Sequence, residues 1–405
     1  MGGRASLILV IGFSLIFMAA GLNFNNMATS TTDNMLNYYT NSKAHHIAAS
    51  GVNLIVNQLF LDAAVPDQTY NFNFDGGTIS ATLTTINAYQ NIKQLISTGT
   101  FDGTSNSIKV VLKPSLFSKY AYFSASEGGN IWWNTGDTVW GPFHTNDNLR
   151  VAYQPVFMGK VSIGGSEIKY TSNTHAQYLG GFQKNIHITI PSTGVSNVAS
   201  AAAAGGAQIS GHSTVYFEFR GDSVRYKYST NGTYTYQLAS KFAPNGVIYV
   251  NNATLHLQGT VKGQYTIAVS GSSGGQGDVY LDDNIVYNTN PVTNPNSTDM
   301  LGIVAQSDVI IADNAANNNN IAIQASIYCQ SGSFKAENYD TRPAAGFIDL
   351  YGGITQNIRG PVGTFGYYGI STGFNKRYRY DTRLLISYPP SYPGCGTFEI
   401  VSWFE

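Results

Sequence analysis

Charge is what this chain has least of. Its 22 basic and 23 acidic residues make up 11% of 405 and leave a net charge of −1, against about a quarter charged residues in ordinary soluble domains. A surface so poor in cations does not neutralise phosphates, so no nucleic-acid partner is expected. Cysteine is almost missing. Two residues cannot make a disulfide scaffold, although they can make one bridge in an oxidising compartment. Proline does not occur before Pro66, so nothing in the N-terminal stretch forbids one long helix. P-loop, dinucleotide-binding and C-x-x-C motifs do not occur. In place of charge stand 43 glycines, 37 asparagines and 27 tyrosines. With 43% hydrophobic residues the composition is not that of a disordered chain. It suits strands and tight turns, is common on secreted surfaces, and leaves room for an ample core.

Residues 5–22, ASLILVIGFSLIFMAAGL, are uncharged over 18 positions, near the minimum for a helix that crosses a bilayer. Only Arg4 precedes them and the next charge is Asp33. Arg4, the apolar stretch and the small residues Ala19, Ala20 and Gly21 also fit a secretory signal peptide. Against a signal peptide, helical periodicity runs on beyond it. Ala48, Val52, Ile55 and Leu59 recur at spacings of 4, 3 and 4, the mark of one apolar face. Met35, Tyr39 and Ile47 extend that side, while Asn37, Asn41, Lys43, Asn53 and Asn57 mark the other. The pattern predicts one helix from Ala5 to about Phe60, roughly 84 Å long at 1.5 Å per residue. Helices of that length pack laterally. Leu7, Ile11, Leu15 and Met18 are expected to bury against neighbouring copies, with Ala48, Val52, Ile55 and Leu59 completing an assembly helix.

The start Gly2-Gly3-Arg4, the apolar stretch, and an amphipathic half with small residues at Ala44, Ala48, Ala49, Ser50 and Gly51 resemble the N-terminal helix of type IV pilins and pseudopilins, particularly the PilX-type subgroup. The resemblance covers about 60 residues. It implies an apolar half that sits in the inner membrane before assembly and forms the filament core afterwards, with the amphipathic half docked on a globular head. The implied partners are other copies of the chain, as a helical homopolymer, and a pilus-type assembly machinery. One departure stands out. Pilins usually carry glutamate at the fifth mature position. Cleavage after Gly2 or Gly3, or a start at Met1, places Leu7, Ile8 or Ala5 there, none of them acidic. Major and minor or tip subunits therefore both stay open, as does an ordinary membrane anchor on a secreted β protein.

Beyond Asp67 short strand-like runs alternate with turn clusters: 78–84, 108–112, 151–161, 186–190, 215–220 and 224–228. Residues 198–207, VASAAAAGGA, are the one internal candidate for a short helix or a connection, a seam between two β-rich sections. From Val247 to about Ile354 apolar runs follow one another, broken by glycine, asparagine and aspartate, residues that tolerate left-handed turns. The runs 283–287 and 308–312 echo each other. Irregular rungs of roughly twenty residues suggest a parallel β-helix or β-solenoid, with 317–320 as an asparagine-lined corner. A β-sandwich is the rival. GPFHTND at 141–147, PVFMGKVSI at 155–163, NPNSTDMLGIVAQSDVIIADNAANNN at 294–319, YDTRLL at 380–385, Pro389-Pro390 and the closing Trp403 and Glu405 resemble an uncharacterised bacterial family with β-helical bodies behind PilX-type N-termini. Cys395 departs from it, standing where that family tends to have a threonine-like residue. The fold class expected is mainly β with one long N-terminal α-helix and a β-rich head containing a parallel β-helix. The expected divisions are a helix at 1–62 with its membrane or filament core at 5–22, a β-rich section at 63–245, a solenoid at 246–375, and a tail at 376–405 packed on the head.

Signals for chemistry are weak. Gly271-Ser272-Ser273-Gly274-Gly275 matches G-x-S-x-G, but no strand-to-helix turn surrounds it. His45 and His46 point about 100° apart on a helix and cannot chelate one ion. His144, near Trp132, Trp133 and Trp140 in sequence, is expected to be buried and bonded to a turn backbone. Asp282/Asp283 and Asp308/Asp313 invite a calcium or polysaccharide-cleavage reading, yet calcium takes about six to eight oxygens and turn-forming aspartates explain the same residues. Sequons stand at Asn231, Asn252 and Asn296. No catalytic residue, cofactor or metal site is assigned, and the protein is not expected to be an enzyme. Cys329 and Cys395 are expected to bridge, because an exported head folds where thiols are oxidised; the loop closed would contribute about 4 kcal/mol. The sequence thus points to a structural subunit of an extracellular type IV pilus-like filament on the cell surface, inner-membrane-anchored before assembly. A membrane-anchored adhesin binding surface glycans is second, and a polysaccharide-active β-helix enzyme third.

Overall fold

The computed structural model describes residues 2–62, 64–87, 91–271, 273–366 and 369–405. The chain divides into two compact units, one running to Lys113 and including Thr397–Glu405, the other Pro114–Gly396.

In the first unit α1 (Gly2–Leu61) is unbroken over 60 residues, about 90 Å of helix. The sheet beside it is ordered β1 (Thr69–Phe74), β2 (Gly77–Asn87), β3 (Ile92–Phe101), β4 (Thr104–Leu116) and the C-terminal strand Gly394–Phe404. Two of its turns are Asp-Gly pairs. Asp75-Gly76 (φ 51° and 80°) joins β1 to β2, and Asp102-Gly103 (φ 46° and 76°) joins β3 to β4. Positive φ at both central residues gives the turn whose twist matches an antiparallel hairpin. Ile79, Ala81 and Leu83 of β2 alternate inward and meet Ile47, Ala48, Val52, Ile55 and Leu59 of α1 in one core with Leu95, Ile108, Val110, Leu112 and Phe398. Helix and sheet approach closely. A Cβ on Gly99 would lie 2.3 Å from the Ala44 carbonyl oxygen, one on Gly51 would lie 2.4 Å from Ser97 Oγ, and Ser97 Oγ donates to the Ala48 carbonyl at 2.8 Å.

Three long parallel ladders run through the second unit, beside a shorter parallel pairing of Leu149–Val151 with Glu167–Lys169. One aligns Ala207, Ile248, Ile267, Ile303, Ile327, Ile354, Tyr122, Phe143, Val161 and Phe182, each paired with the next. A second aligns Val215, Leu255, Val279, Val309 and Phe334. The third runs Phe219, Gly259, Ile285, Ile323, Leu350, Tyr378, Val139, Phe157 and Tyr178. Gly259 is required in that row: its φ is 114°, and a Cβ would lie 2.1 Å from the Phe219 carbonyl oxygen. Parallel pairing with the next pass of the chain is not the antiparallel pairing of a β-sandwich.

Stack order differs from chain order. The section from Ala207 onward ends with Ile354 and Tyr378, which pair with Tyr122 and Val139 of the section that came before it. Between Phe182 and Ala207 the chain returns along the outside of the first ladder. That return carries α2 (Gly194–Ala203), whose Val195, Val198 and Ala202 join the outward-facing Phe123, Val247, Ala268, Val304 and Tyr328. The expected strand at 186–190 is therefore not a strand. Its apolar residues Ile188 and Ile190 cover a ladder from outside, and the Ile188 N–H donates to Asn146 Oδ1 at 2.8 Å.

The expected divisions shift accordingly. Residues on both sides of 245/246 share ladders, so no boundary falls there. The end of α1 and residues 64–113 share one core. The tail is divided: Lys376–Tyr380 continue the third ladder, whereas Thr397–Glu405 belong to the first unit.

Candidate functional site

The N-terminal half of α1 is apolar and uncovered. Leu7, Ile11, Leu15 and Met18 are 63%, 52%, 61% and 64% exposed. The most apolar 18-residue window has a mean hydropathy of 2.4, and none of it is buried. Burial on α1 begins only at Thr40, so Met35 stands outside the packed face, while the half-exposed Tyr39 sets its ring edge-on to Phe101 at 5.9 Å. Between the two halves polar residues predominate, with Asp33 the one charge among residues 23–39, and Thr29, Thr31 and Thr32 donate to carbonyls one turn back. Ala48, Val52, Ile55 and Leu59 are fully buried against the sheet. Of the eight residues expected to form an assembly helix, these four are therefore enclosed within the first unit and offer nothing to another copy. Leu7, Ile11, Leu15 and Met18 remain accessible.

Cys329 and Cys395 form no disulfide. The reason lies in strand alternation. Cys329 points into the core shared by the ladders, while its neighbour Tyr328 points outward, into the cluster on which the half-buried Cys395 packs. The thiols lie on opposite faces of one sheet. Burial pushes the Cys329 thiol well above its ordinary pKa.

His144 is fully buried, but on the outer face of its strand and away from the tryptophans. Its ring lies 5.0 Å from that of Phe123 and 5.9 Å from that of Tyr120. Nδ1 bonds Ser162 Oγ at 2.8 Å and Nε2 bonds Asn146 Oδ1 at 2.9 Å, so its partners are side chains and not a turn backbone. Burial lowers its pKa from 6.5, opposed by the Asn146 bond and helped by His187 and Lys119. His45 faces Glu405 at 4.0 Å. Asp282 holds His256 Nδ1 at 2.9 Å, Asp283 bonds Asn284, Asp308 takes Lys335 and the Ser333 N–H, and Asp313 accepts from Asn338. The four carboxylates thus have separate partners, and no cluster of three metal-ligating side chains occurs among the described residues. Asn317 does stand at a corner, donating to the Leu281 and Ala312 carbonyls. Ser273, the serine of the G-x-S-x-G match, is exposed at the start of a turn, its carbonyl accepting from the Gln276 N–H at 3.1 Å, with no helix following it; its neighbour Ser272 lies outside the described residues.

One polar site had no sequence signature. Where the two sections of the second unit meet, Arg359 and Glu127 are both buried and joined at 2.7 Å. Tyr122 and Ser124 donate to the same carboxylate at 2.9 and 2.6 Å, and the guanidinium lies 4.3 Å from the centre of the Trp133 ring. Beside them Lys376 and Asp137 pair at 2.7 Å. Burial, together with the Arg359 charge, holds Lys376 below its ordinary pKa, against the pull of Asp137. Asp137, Lys376 and Arg359 line a cavity of 540 Å³ with Trp132, Asn134 and Asn375. Glu127 and Arg359 stand 232 positions apart, beyond the reach of any local motif.

Comparison with known proteins adds little chemistry. A family described as a domain of unknown function, DUF4900, matches residues 69–166. No curated protein matches the chain. Among solved structures, the competence-associated pilin ComZ from Thermus thermophilus is similar at 12% identity, over 90% of this chain and 97% of that one, with a TM-score of 0.34.

Proposed function

We propose that the chain is a structural subunit of a pilus-like filament, held in a membrane by the apolar half of α1 before assembly and packed through that half against other copies afterwards. The observation that carries this reading is the continuity of α1. An uncovered apolar half runs without a break into a half locked on its sheet. A tether needs only about 20 apolar residues to span a bilayer and no rigid extension. A rigid helix of 60 residues, about three times that length, fixes the distance and angle between apolar segment and sheet, which lateral packing of identical subunits requires. Identical head-to-tail contacts that do not close generate an open helical polymer. The stacked parallel ladders of the second unit read as a β-helix body for the head. The assembly machinery and surface location follow from the same reading.

Leu15→Asp places a carboxylate in the apolar stretch, at about 2.5–3.5 kcal/mol on insertion scales, and sheared surface fibres should disappear. In a second variant, Ile11→Cys, oxidised fibres should yield disulfide-linked dimers. Normal fibre abundance in Leu15→Asp, or sheared fibres lacking residues 5–22, would contradict the filament. A membrane-anchored glycan-binding protein is the second reading, favoured by the cavity at Asp137 and Lys376.

A further inference from the structure

We propose that the cavity lined by Asp137, Lys376 and Asn134 is a binding site for a neutral oligosaccharide. Size fits a ligand of that kind. The 540 Å³ cavity falls within the range of small-molecule sites. A second cavity of 430 Å³ is also lined by Asn134 and Thr135, together with Tyr153 and Gln154, and offers space for a second sugar ring beside the first.

Charge selects the ligand class. Asp137 is paired with Lys376 and Glu127 with Arg359, each at 2.7 Å. Two anions and two cations leave no surplus for an ionic ligand. Drawing either partner toward one would strand the other, buried and unpaired, at a cost of several kcal/mol. A hydroxyl makes no such demand, because it donates and accepts at once. Against Asp137 and Lys376, neighbouring hydroxyls of one sugar ring find an acceptor and a donor side by side. Asn134 lines both cavities, and its backbone N–H donates to Asp137 at 2.9 Å, which holds the residue beside that carboxylate. Trp132, which also lines the cavity, gives the apolar C–H face of a pyranose an aromatic surface. A quartet serving only to join the two sections would not need the cavities.

The test uses the full-length chain in lauryldimethylamine oxide, whose headgroup carries no sugar. The probes are glucose, galactose and N-acetylglucosamine, the disaccharides cellobiose, lactose and diacetylchitobiose, and the charged analogues glucuronate and glucosamine. Binding is read by saturation-transfer NMR and tryptophan fluorescence. At least one neutral disaccharide should saturate, about tenfold tighter than its monosaccharide, with the charged analogues about tenfold weaker than glucose. Trp132→Ala and Asn134→Ala should each weaken binding about tenfold. Asn134→Ala should leave thermal unfolding unchanged, since it keeps the backbone N–H bond to Asp137. The site is overturned if no neutral sugar saturates, if charged sugars bind as tightly, or if both variants bind like the parent. Fibre abundance does not enter these readouts, so the filament reading stands or falls separately.

Discussion

At the scale of single residues, burial and alternation decide what a side chain can do, and His144 shows it. Both ring nitrogens are engaged, with Ser162 and Asn146, and the groups that face it electrostatically are His187 and Lys119. Because burial depresses its pKa below 6.5, the unfolded chain takes up a proton at a higher pH than the folded one. Between 6.5 and the depressed folded value the unfolded state therefore binds more protons, and stability is lost as pH falls through that window. Thermal unfolding of the second unit should shift downward on acidification from about pH 7.5 to 5, and His144→Gln should flatten the shift. Equal slopes for parent and variant would remove His144 from the acid response. The same logic of faces explains the cysteines. Their expected bridge rested on their number and compartment, and neither reports which side of a strand a thiol occupies.

At the scale of elements, the approach of α1 to β3 depends on a residue with no side chain. Gly99→Ala would bring a methyl within 2.3 Å of the Ala44 carbonyl oxygen and 2.4 Å of the Ala48 nitrogen, both backbone atoms that yield only if the helix moves. Overpacking of this kind costs about 1–3 kcal/mol. Hydrogen exchange at residues 44–59 should quicken while residues 300–305 keep their protection, and unchanged exchange at 44–59 would show that the helix accommodates the methyl. Much of α1 was legible in the sequence because two local facts sufficed, helical spacing at 48–59 and the lack of proline before Pro66. Strand runs in β2 and β4 were legible for the same kind of reason. Failures came where apolar pattern and pairing part company. Residues 186–190 carry a strand's alternation, yet that alternation marks burial on a ladder's outer face. The run 151–161 is cut into pieces by a turn at Tyr153, whose φ is 56°. Even the short helix was displaced, because Val195, Val198 and Ala202 set its buried face, and the alanine and glycine run alone did not show it. The polar quartet was not legible at all, since the partners in each of its two ion pairs lie more than 200 positions apart and meet only through stack order.

At the scale of the molecule, stack order turns one ion pair into a joint between two sections of the second unit. Ile354 pairs with Tyr122 and Tyr378 with Val139, so the end of the later section rests on the start of the earlier one. Glu127 comes from one side of that joint and Arg359 from the other, and both are almost wholly buried. Tyr122 and Ser124 satisfy one carboxylate oxygen, while Arg359 satisfies the other. Removing the cation alone leaves a buried charge without compensation, which costs about 3–5 kcal/mol. Arg359→Met should therefore destabilise the second unit by that amount. Adding Glu127→Gln should recover much of the loss, because a neutral amide still accepts from Tyr122 and Ser124. Denaturant unfolding of the single and double variants measures both quantities, and hydrogen exchange separates a joint from a local contact. If the sections depend on each other, protection in Arg359→Met falls together in Tyr122–Ser126 and Ala344–Ile358, strands far apart in sequence and adjacent in the stack. Loss confined to one strand would mean that the two sections hold their ladders independently and that the pair only fills the space between them.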